Sequence, residues 1–481
     1  MPSNRVLRVR SSVPPLGDGV AALQRELELP GSFPDEVLAA AQAAAAAPRL
    51  PDLDRTDLPF VTIDPEGARD LDQALHLDRD ADGYVVHYAI ADVAAFVSPG
   101  DPIDREAHRR GETLYGADAK IPLHPAVLSE DAASLLAGQV RPALLWTLRL
   151  APDGSLREAS VERARVRSTR QLAYDEVQAL VGTPDEPAWL RLLGEVGRLR
   201  QEREAERGGI SLALPEQEVD VADGRWSLAF RRQSPVEEWN AQISLLTGFA
   251  AAEMMLRAGV GLLRTLPPAD PRDVERLRRT AAALGLHWPD DVPHPELIRA
   301  LDPGRPADAA MLVACTRLLR GSGYTAFDGE APAQAQHAAL AAAYAHATAP
   351  LRRLGDRYVG EVCLAICADV PVPDWARRAL PALPDELAAA GRRASAYERG
   401  LLDLVEAAVL AGRVGERWHG TVVDVRDDVR GTVMIADPAV EARVDAAPGA
   451  RLPLGEAIEV ELVEADPARR TVRFAQTSAI G

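Results

Sequence analysis

A short apolar strand that runs straight into a cluster of acids restricts this chain more than any other feature. Phe60-Val-Thr-Ile-Asp64 is followed by Asp70 and Asp72, with Gln73 next in line. Crowded carboxylates repel one another, so a fold tolerates them only where a cation offsets the charge or the side chains reach water. Two readings stand side by side. One is a solvated acidic loop after a strand; the other is a cradle of oxygen ligands that grips a hard divalent cation beside a phosphate. An EF-hand is excluded: counted from Asp64, the position that needs glycine is Arg69 and the position that needs a bidentate glutamate is Leu75. In an extended segment Asp70 and Asp72 point to the same side. Pro65-Glu66-Gly67 is turn chemistry that folds Asp64 back toward them.

A second constellation lies far downstream, at Tyr344-Ala-His346-Ala-Thr348-Ala-Pro350-Leu-Arg352-Arg353. Thr348 is suited to cap a helix whose first turn contains Pro350, where the missing N–H costs little. Helix N-termini attract anions, and Arg352 and Arg353 in the opening turns make a phosphate site. The alternative is a surface helix start with solvated arginines. His337 and His346 read as satisfied helix histidines rather than ligands. Glu237 and Glu238 open a helix, where acids favour the dipole.

The 481 residues exceed one domain, and 47% apolar with 26% charged content is ordinary for a globular protein. No signal-peptide core and no bilayer-spanning apolar run is present, so a cytoplasmic protein without a membrane partner is expected. A net charge of −18 argues against nonspecific coating of nucleic acid, though not against a local basic channel. Lys120 is the only lysine; arginine supplies the rest of the basic charge and suits bidentate phosphate contacts. Cys315, Cys363 and Cys367 read as buried thiols of a reducing compartment, with neither a disulfide framework nor a zinc site.

Residues 1–50 form a short N-terminal helical segment, a helix-turn-helix unit or a packing arm, with helices at Asp18–Leu27 and Pro34–Ala46. Residues 51–412 are an α+β unit, a mixed sheet followed by helices. Its strands are read at Tyr84–Asp92, Ala143–Leu150 and Ser160–Arg167. Its helices are read at Leu172–Val181, Trp189–Arg207, Pro235–Gly259, Pro271–Leu286, Ala307–Leu319, Ala333–Ala347, Leu351–Ala368 and Pro381–Leu410. Residues 413–481 change character: five short strands separated by Gly, Pro and Asp turns fit an OB-fold β-barrel.

In order along the chain stand Phe60-Val-Thr-Ile-Asp-x5-Asp-x-Asp72, Ile90-Ala-Asp-Val, Leu114-Tyr115, Ile121-Pro-Leu-His-Pro and Leu128-Ser-Glu-Asp-Ala-Ala-Ser-Leu-Leu. Val236-Glu-Glu238, His337 and Tyr344 to Arg352 follow. Over residues 57–410 the chain resembles the ribonuclease II family, whose catalytic unit is the RNB domain and whose members typically end in an OB-type RNA-binding domain. The resemblance implies processive 3′→5′ hydrolysis of single-stranded RNA to nucleoside 5′-monophosphates by a monomer, with Mg2+, or Mn2+ in its place. It implies that Asp64, Asp70 and Asp72 are active-site aspartates that hold the metal, with Asp70 and Asp72 catalytic. Arg352 matches the arginine that stabilises the attacked phosphate, and Tyr115 an aromatic that stacks near the RNA 3′ end. Tyr174, Glu238, Arg353 and Glu398 are the further substrate-binding candidates.

Two departures stand out. Gln73 occupies the place of a fourth aspartate; it can ligate magnesium through its carbonyl or orient a metal-bound water, but it brings no charge. About fifty residues stand where the family usually carries cold-shock domains, which implies a less constricted entrance and readier entry into duplex RNA with a 3′ overhang. The rival readings are an RNB-like protein that binds RNA 3′ ends without cutting, and a metal-dependent phosphoesterase with a substrate other than RNA.

Overall fold

The computed structural model describes residues 8–9, 17–116, 120–214, 216–222 and 225–477. Strand β1 (Arg8–Val9) precedes helices α1 (Gly17–Glu26) and α2 (Asp35–Ala46). Next, β2 (Phe60–Asp64), β3 (Gln73–Asp80), β4 (Gly83–Ala91), β5 (Val140–Leu150) and β6 (Leu156–Ala173) close into a barrel, with α3 (Pro102–Arg110) between β4 and β5. Neighbours are antiparallel except β2 and β6, which pair in parallel and shut the barrel. The mixed sheet expected here is therefore closed on itself. Alternating side chains feed two cores. Val61, Leu75, Tyr88 and Trp146 pack toward the later helices, and Phe60, Ala74, Ala89 and Ala164 pack with α2 and the Leu128–Leu135 stretch.

Register decides what the barrel's rim carries. The end of β2 lies beside the start of β3 and the end of β6: Asp64 is opposite Ala173, and Gln73 is opposite Ile90 near the end of β4. One rim thus collects Asp64, Asp72, Gln73 and Asp92, and Tyr174 as the first residue of α4 (Tyr174–Leu180).

Helix α5 (Ala188–Glu206), the hairpin β7 (Glu216–Ala222) and β8 (Arg225–Arg231), and α6 (Pro235–Ala258) follow. Ser234 caps α6 in a reciprocal box with Glu237, and Gly259 closes it in the left-handed region. Strand β9 (Val260–Thr265) leads to α7 (Pro271–Ala283), α8 (His294–Ala300) and α9 (Pro306–Cys315). Strand β10 (Gly323–Asp328) then returns to pair with β9.

The helix predicted over Ala333–Ala347 does not form. Two-residue strands β11 (Gln336–His337) and β12 (Ala342–Ala343) lie in an extended strap. Tertiary partners override the alanine-rich composition. Leu266 N–H donates to Gln336 O, Ala338 N–H to Leu266 O, Arg264 N–H to Tyr344 O, and Ala345 N–H to Gly248 O. The close approach explains Gly248 inside α6, since a Cβ there would lie 2.1 Å from the Tyr344 ring. His337 and His346 are therefore strap residues, not helix residues; His346 pairs with Tyr324 at 2.8 Å.

Helix α10 (Leu354–Cys367) starts later than Thr348 predicted. Leu351 N–H goes to Asp72, Ala349 N–H to Asp356 and Leu354 N–H to Gly111 O, so the first amides are spent on neighbours. Cys367, expected buried, is exposed at the end of α10, while Cys315 and Cys363 are buried thiols.

After α11 (Asp374–Ala379), the long α12 (Leu383–Leu410) carries the second barrel. Strands β13 (Arg417–Asp427), β14 (Arg430–Ile435), β15 (Val440–Asp445), β16 (Ala457–Asp466) and β17 (Thr471–Gln476) close in the order β13-β14-β15-β17-β16, the OB-like arrangement expected. Its core of Val422, Val433, Leu462 and Phe474 is continuous with Leu401, Val405 and Leu410 of α12 and with Val20 and Leu23 of α1. Helix α2 packs instead against α3.

Candidate active site

The acidic stretch between β2 and β3 is pinned at each end. Ala68 N–H donates back to Pro65 O, with Gly67 at φ +76° in the position of that turn that needs a positive φ. Ser134 Oγ accepts from Leu71 N–H at 3.0 Å and donates to Arg69 O at 2.6 Å. These bonds fix Asp72 just before β3, where it is 2% exposed.

The two distant constellations meet on this carboxylate. Asp72 Oδ1 accepts from Leu351 N–H at 2.8 Å, and Asp72 Oδ2 from Arg352 Nε at 3.0 Å. Gln73 donates its side-chain N–H to Thr348 O, a second tie between barrel and strap. Arg352 keeps 40% of its side chain exposed. Among the described residues its terminal nitrogens have no hydrogen-bond partner, so they are available to an anion. Attraction for a phosphate comes from this guanidinium rather than from helix amides.

A third segment joins through the backbone. Thr113 N–H donates to Arg352 O at 2.9 Å, and Glu112 pairs with Arg353. Two residues on, Tyr115 is 47% exposed, with its hydroxyl 3.4 Å from Asp70 Oδ2. An exposed aromatic ring is thus held beside an arginine and a carboxylate. Arg353 is turned away, locked on Asp356 at 2.7 Å.

Electrostatics single out two carboxylates. Asp64 is half-buried; its Oδ2 is shut off from solvent with no hydrogen-bond partner. Loss of hydration, then repulsion from Asp72 and Asp70, raises its pKa to about 7 against the pull of Arg352. Burial likewise lifts Asp72 to about 7, although Arg352 and the Leu351 amide oppose it. An orphaned carboxylate oxygen and two acids held near neutrality are what a hard cation would relieve, so Asp64 and Asp72 fit a divalent metal. Asp70 is occupied otherwise: Lys120 Nζ lies 2.8 Å from its Oδ1. Among the described residues no group of three or more His, Cys, Asp or Glu side chains is gathered closely enough to hold an ion.

Sequence comparison agrees with this arrangement. A family model described as the RNB domain matches residues 53–367, from just before β2 to the end of α10. The chain belongs to the RNB domain family. A second model, the RNase II-type exonuclease C-terminal S1 domain, matches residues 416–477, the second barrel. Ribonuclease R of Thermotoga maritima is 28% identical over 362 residues, which cover 70% of this chain and 50% of that one. Exosome complex exonuclease RRP44 homolog A of Arabidopsis thaliana is 29% identical over 323 residues, 63% of this chain and 34% of that one. This RNB chain thus spans half or less of the length of these two curated relatives. In fold it is similar to Mycoplasma genitalium RNase R, solved with ribose-methylated single-stranded RNA. The TM-score is 0.84 at 19% identity, over 95% of this chain and 77% of that one.

The remaining sequence candidates in the RNB unit fall as follows. Tyr174 shares the rim with Asp64, and its hydroxyl accepts from Asn240 Nδ2 of α6 at 2.8 Å. Glu238 is exposed on the first turn of α6 and accepts from Gln201 at 2.9 Å. Glu398 lies midway along α12. Sequence reasoning gives no role to Ser134, Asn240 or Asp356. Ser134 stood inside the quoted Leu128–Leu136 match, but nothing in its local pattern told that it holds the acidic loop. Lys120 was noted only as the sole lysine.

Proposed function

We propose that this chain is a 3′→5′ exoribonuclease that hydrolyses RNA phosphodiesters processively to nucleoside 5′-monophosphates, with Mg2+ or Mn2+. The observation that carries the reading is the Asp72–Arg352 pair, 3.0 Å apart, beside the orphaned Asp64 oxygen. Asp64 and Asp72 hold the metal, with Asp70 and Gln73 at its margin. When bound, a divalent ion supplies an activated water and neutralises charge on the attacked phosphate.

The chain's own groups do the rest. Asp72 orients Arg352 through Nε, which leaves its terminal nitrogens to donate charge-assisted hydrogen bonds to the scissile phosphate. Leu351 N–H holds Asp72 in place from the other oxygen. Tyr115 stacks on the terminal base. Tyr174, Arg353, Glu238 and Glu398 line or support the RNA path, and the second barrel binds RNA upstream. The chain acts as a cytoplasmic monomer. A duplex with a 3′ overhang is a substrate alongside single strands.

The test is single-stranded RNA labelled at its 3′-terminal nucleotide, or throughout, with Mg2+ and with products resolved by size. Loss of full-length RNA with mononucleotide release from the 3′ end supports the reading. An RNA complex with no cleavage selects the second reading, an RNB-like 3′-end binder. That reading is favoured by one observation: Gln73 brings no charge and spends its N–H on Thr348.

A further inference from the structure

Lys120 is the only lysine in a chain that takes the rest of its basic charge from arginine. Its ammonium bridges Asp70 Oδ1 at 2.8 Å and Glu130 Oε1 at 2.9 Å, with only 24% of the side chain exposed. The other Asp70 oxygen faces the Tyr115 hydroxyl at 3.4 Å. The acidic stretch is therefore divided. Asp72 is engaged by the strap, Asp64 keeps an orphaned oxygen beside it, and Asp70 is committed to a protein cation.

The geometry bears on how many ions the rim accepts. Each hard divalent cation needs several oxygen ligands with enough negative charge to replace lost water. Gln73 is neutral and tied to Thr348. Asp70 is the remaining aspartate of the stretch, and the ammonium sits on it. The ammonium is a compact point charge with three donors, enough to hold both carboxylates at once.

We propose that Lys120 is a resident cation of this rim, a positioning residue that holds Asp70 out of the ion cradle. The site then takes one divalent ion, with the ammonium standing where a second would bind. This inference rests on the metal site of the nuclease reading. It does not depend on how fast RNA is cut.

The experiment is titration of the metal-free full chain with Mn2+, followed by electron paramagnetic resonance, with circular dichroism melts to show that each variant is folded. One bound Mn2+ per chain is expected for the native protein. In Lys120→Ala, Asp70 and Glu130 lose their cation, so a second Mn2+ binds about tenfold or more tighter than any second ion in the native protein. Lys120→Arg keeps the charge and restores a single ion, which loss of packing alone would not explain. Should Lys120→Ala not fold, Lys120→Met fills similar space without the charge and is expected to take two ions. Two ions in the native protein, or one ion of unchanged affinity in the uncharged variants, overturns the inference. If RNA hydrolysis persists in that case, the nuclease reading survives. Failure of every variant to bind Mn2+, together with absence of hydrolysis, removes both.

Discussion

The barrel of β2–β6 and the barrel of β13–β17 each close five strands with a single parallel pairing, β2 with β6 and β15 with β17. They place charge differently. The second buries Val433, Val460, Leu462 and Phe474, and among its described residues no charged side chain of the strands is buried. Three of its strand arginines are answered at the surface: Arg417 by Glu461, Arg430 by Asp427 and Arg473 by Asp445. The first barrel buries Asp72 and Asp92 at one rim and draws Arg352 onto the former from outside the barrel. A buried charge is costly unless paired or bound to a metal. The same closure therefore serves as an apolar core in one place and as a frame for buried charge in the other.

The largest expected effect tests the apolar barrel. Phe474→Ala removes a fully buried ring and should cost about 3–5 kcal/mol of stability by denaturant unfolding, with the hydrolysis rate of the folded fraction unchanged. A rate that fell in step with stability would erase the contrast between the barrels.

Next comes the barrel with buried charge. Asp72→Asn and Arg352→Ala should each slow RNA hydrolysis about a hundredfold or more, near 2.7 kcal/mol, while a gel-shift assay still detects RNA binding. Full turnover by either variant would place the chemistry elsewhere. Tyr115→Ala should weaken binding of the RNA 3′ end by about 1–3 kcal/mol. That loss should appear in KM and dwell time and leave thermal stability within about 0.5 kcal/mol, as for an exposed side chain.

The smallest effect is in pH. Asp64 and Asp72 titrate near 7 in the folded protein and near 3.8 when unfolded. Between those values the native state holds more protons, so the metal-free protein loses stability as pH rises toward 7 and stays at that lower level above it. Half-buried His87, pulled down to about 4, works in the opposite sense, as do His124, His294, His337 and His346, which burial also pulls down. Measured with and without Mg2+ at pH 6.5 and 8, the difference isolates the carboxylates, because the histidine contribution is common to both. Mg2+ should raise Tm more at pH 8, because it competes with protons for the same oxygens. An equal rise at both values would remove Asp64 and Asp72 from the metal site.

Much of this was legible in the chain. The five C-terminal strands, each bounded by Gly, Pro or Asp turns, lie where their patterns put them, and Ser234 starts α6 with its capping partner Glu237. The pairing of Phe60–Asp72 with Thr348–Arg353 was expected from the order of motifs, and the Asp72–Arg352 contact realises it. Where expectation failed, a distant partner had decided the outcome. The Ala333–Ala347 segment has helical composition, yet Leu266, Arg264 and Gly248 supply the backbone partners that hold it extended. Thr348 looks like a cap, yet Asp356 and Asp72 take the amides that a helix start would expose.

By itself, then, the sequence determined the local vocabulary: which stretches are strands, where α6 begins, and that three aspartates crowd the end of one strand. These follow from periodicity, turn chemistry and capping, all of which act over a few residues. Only the tertiary structure decided that β2 closes onto β6, that Asp72 takes Arg352 Nε on one oxygen and Leu351 N–H on the other, and that Lys120 claims Asp70. Such choices depend on which burial and which ion pairs relieve the most uncompensated charge, and that balance exists only once remote segments share one low-dielectric space.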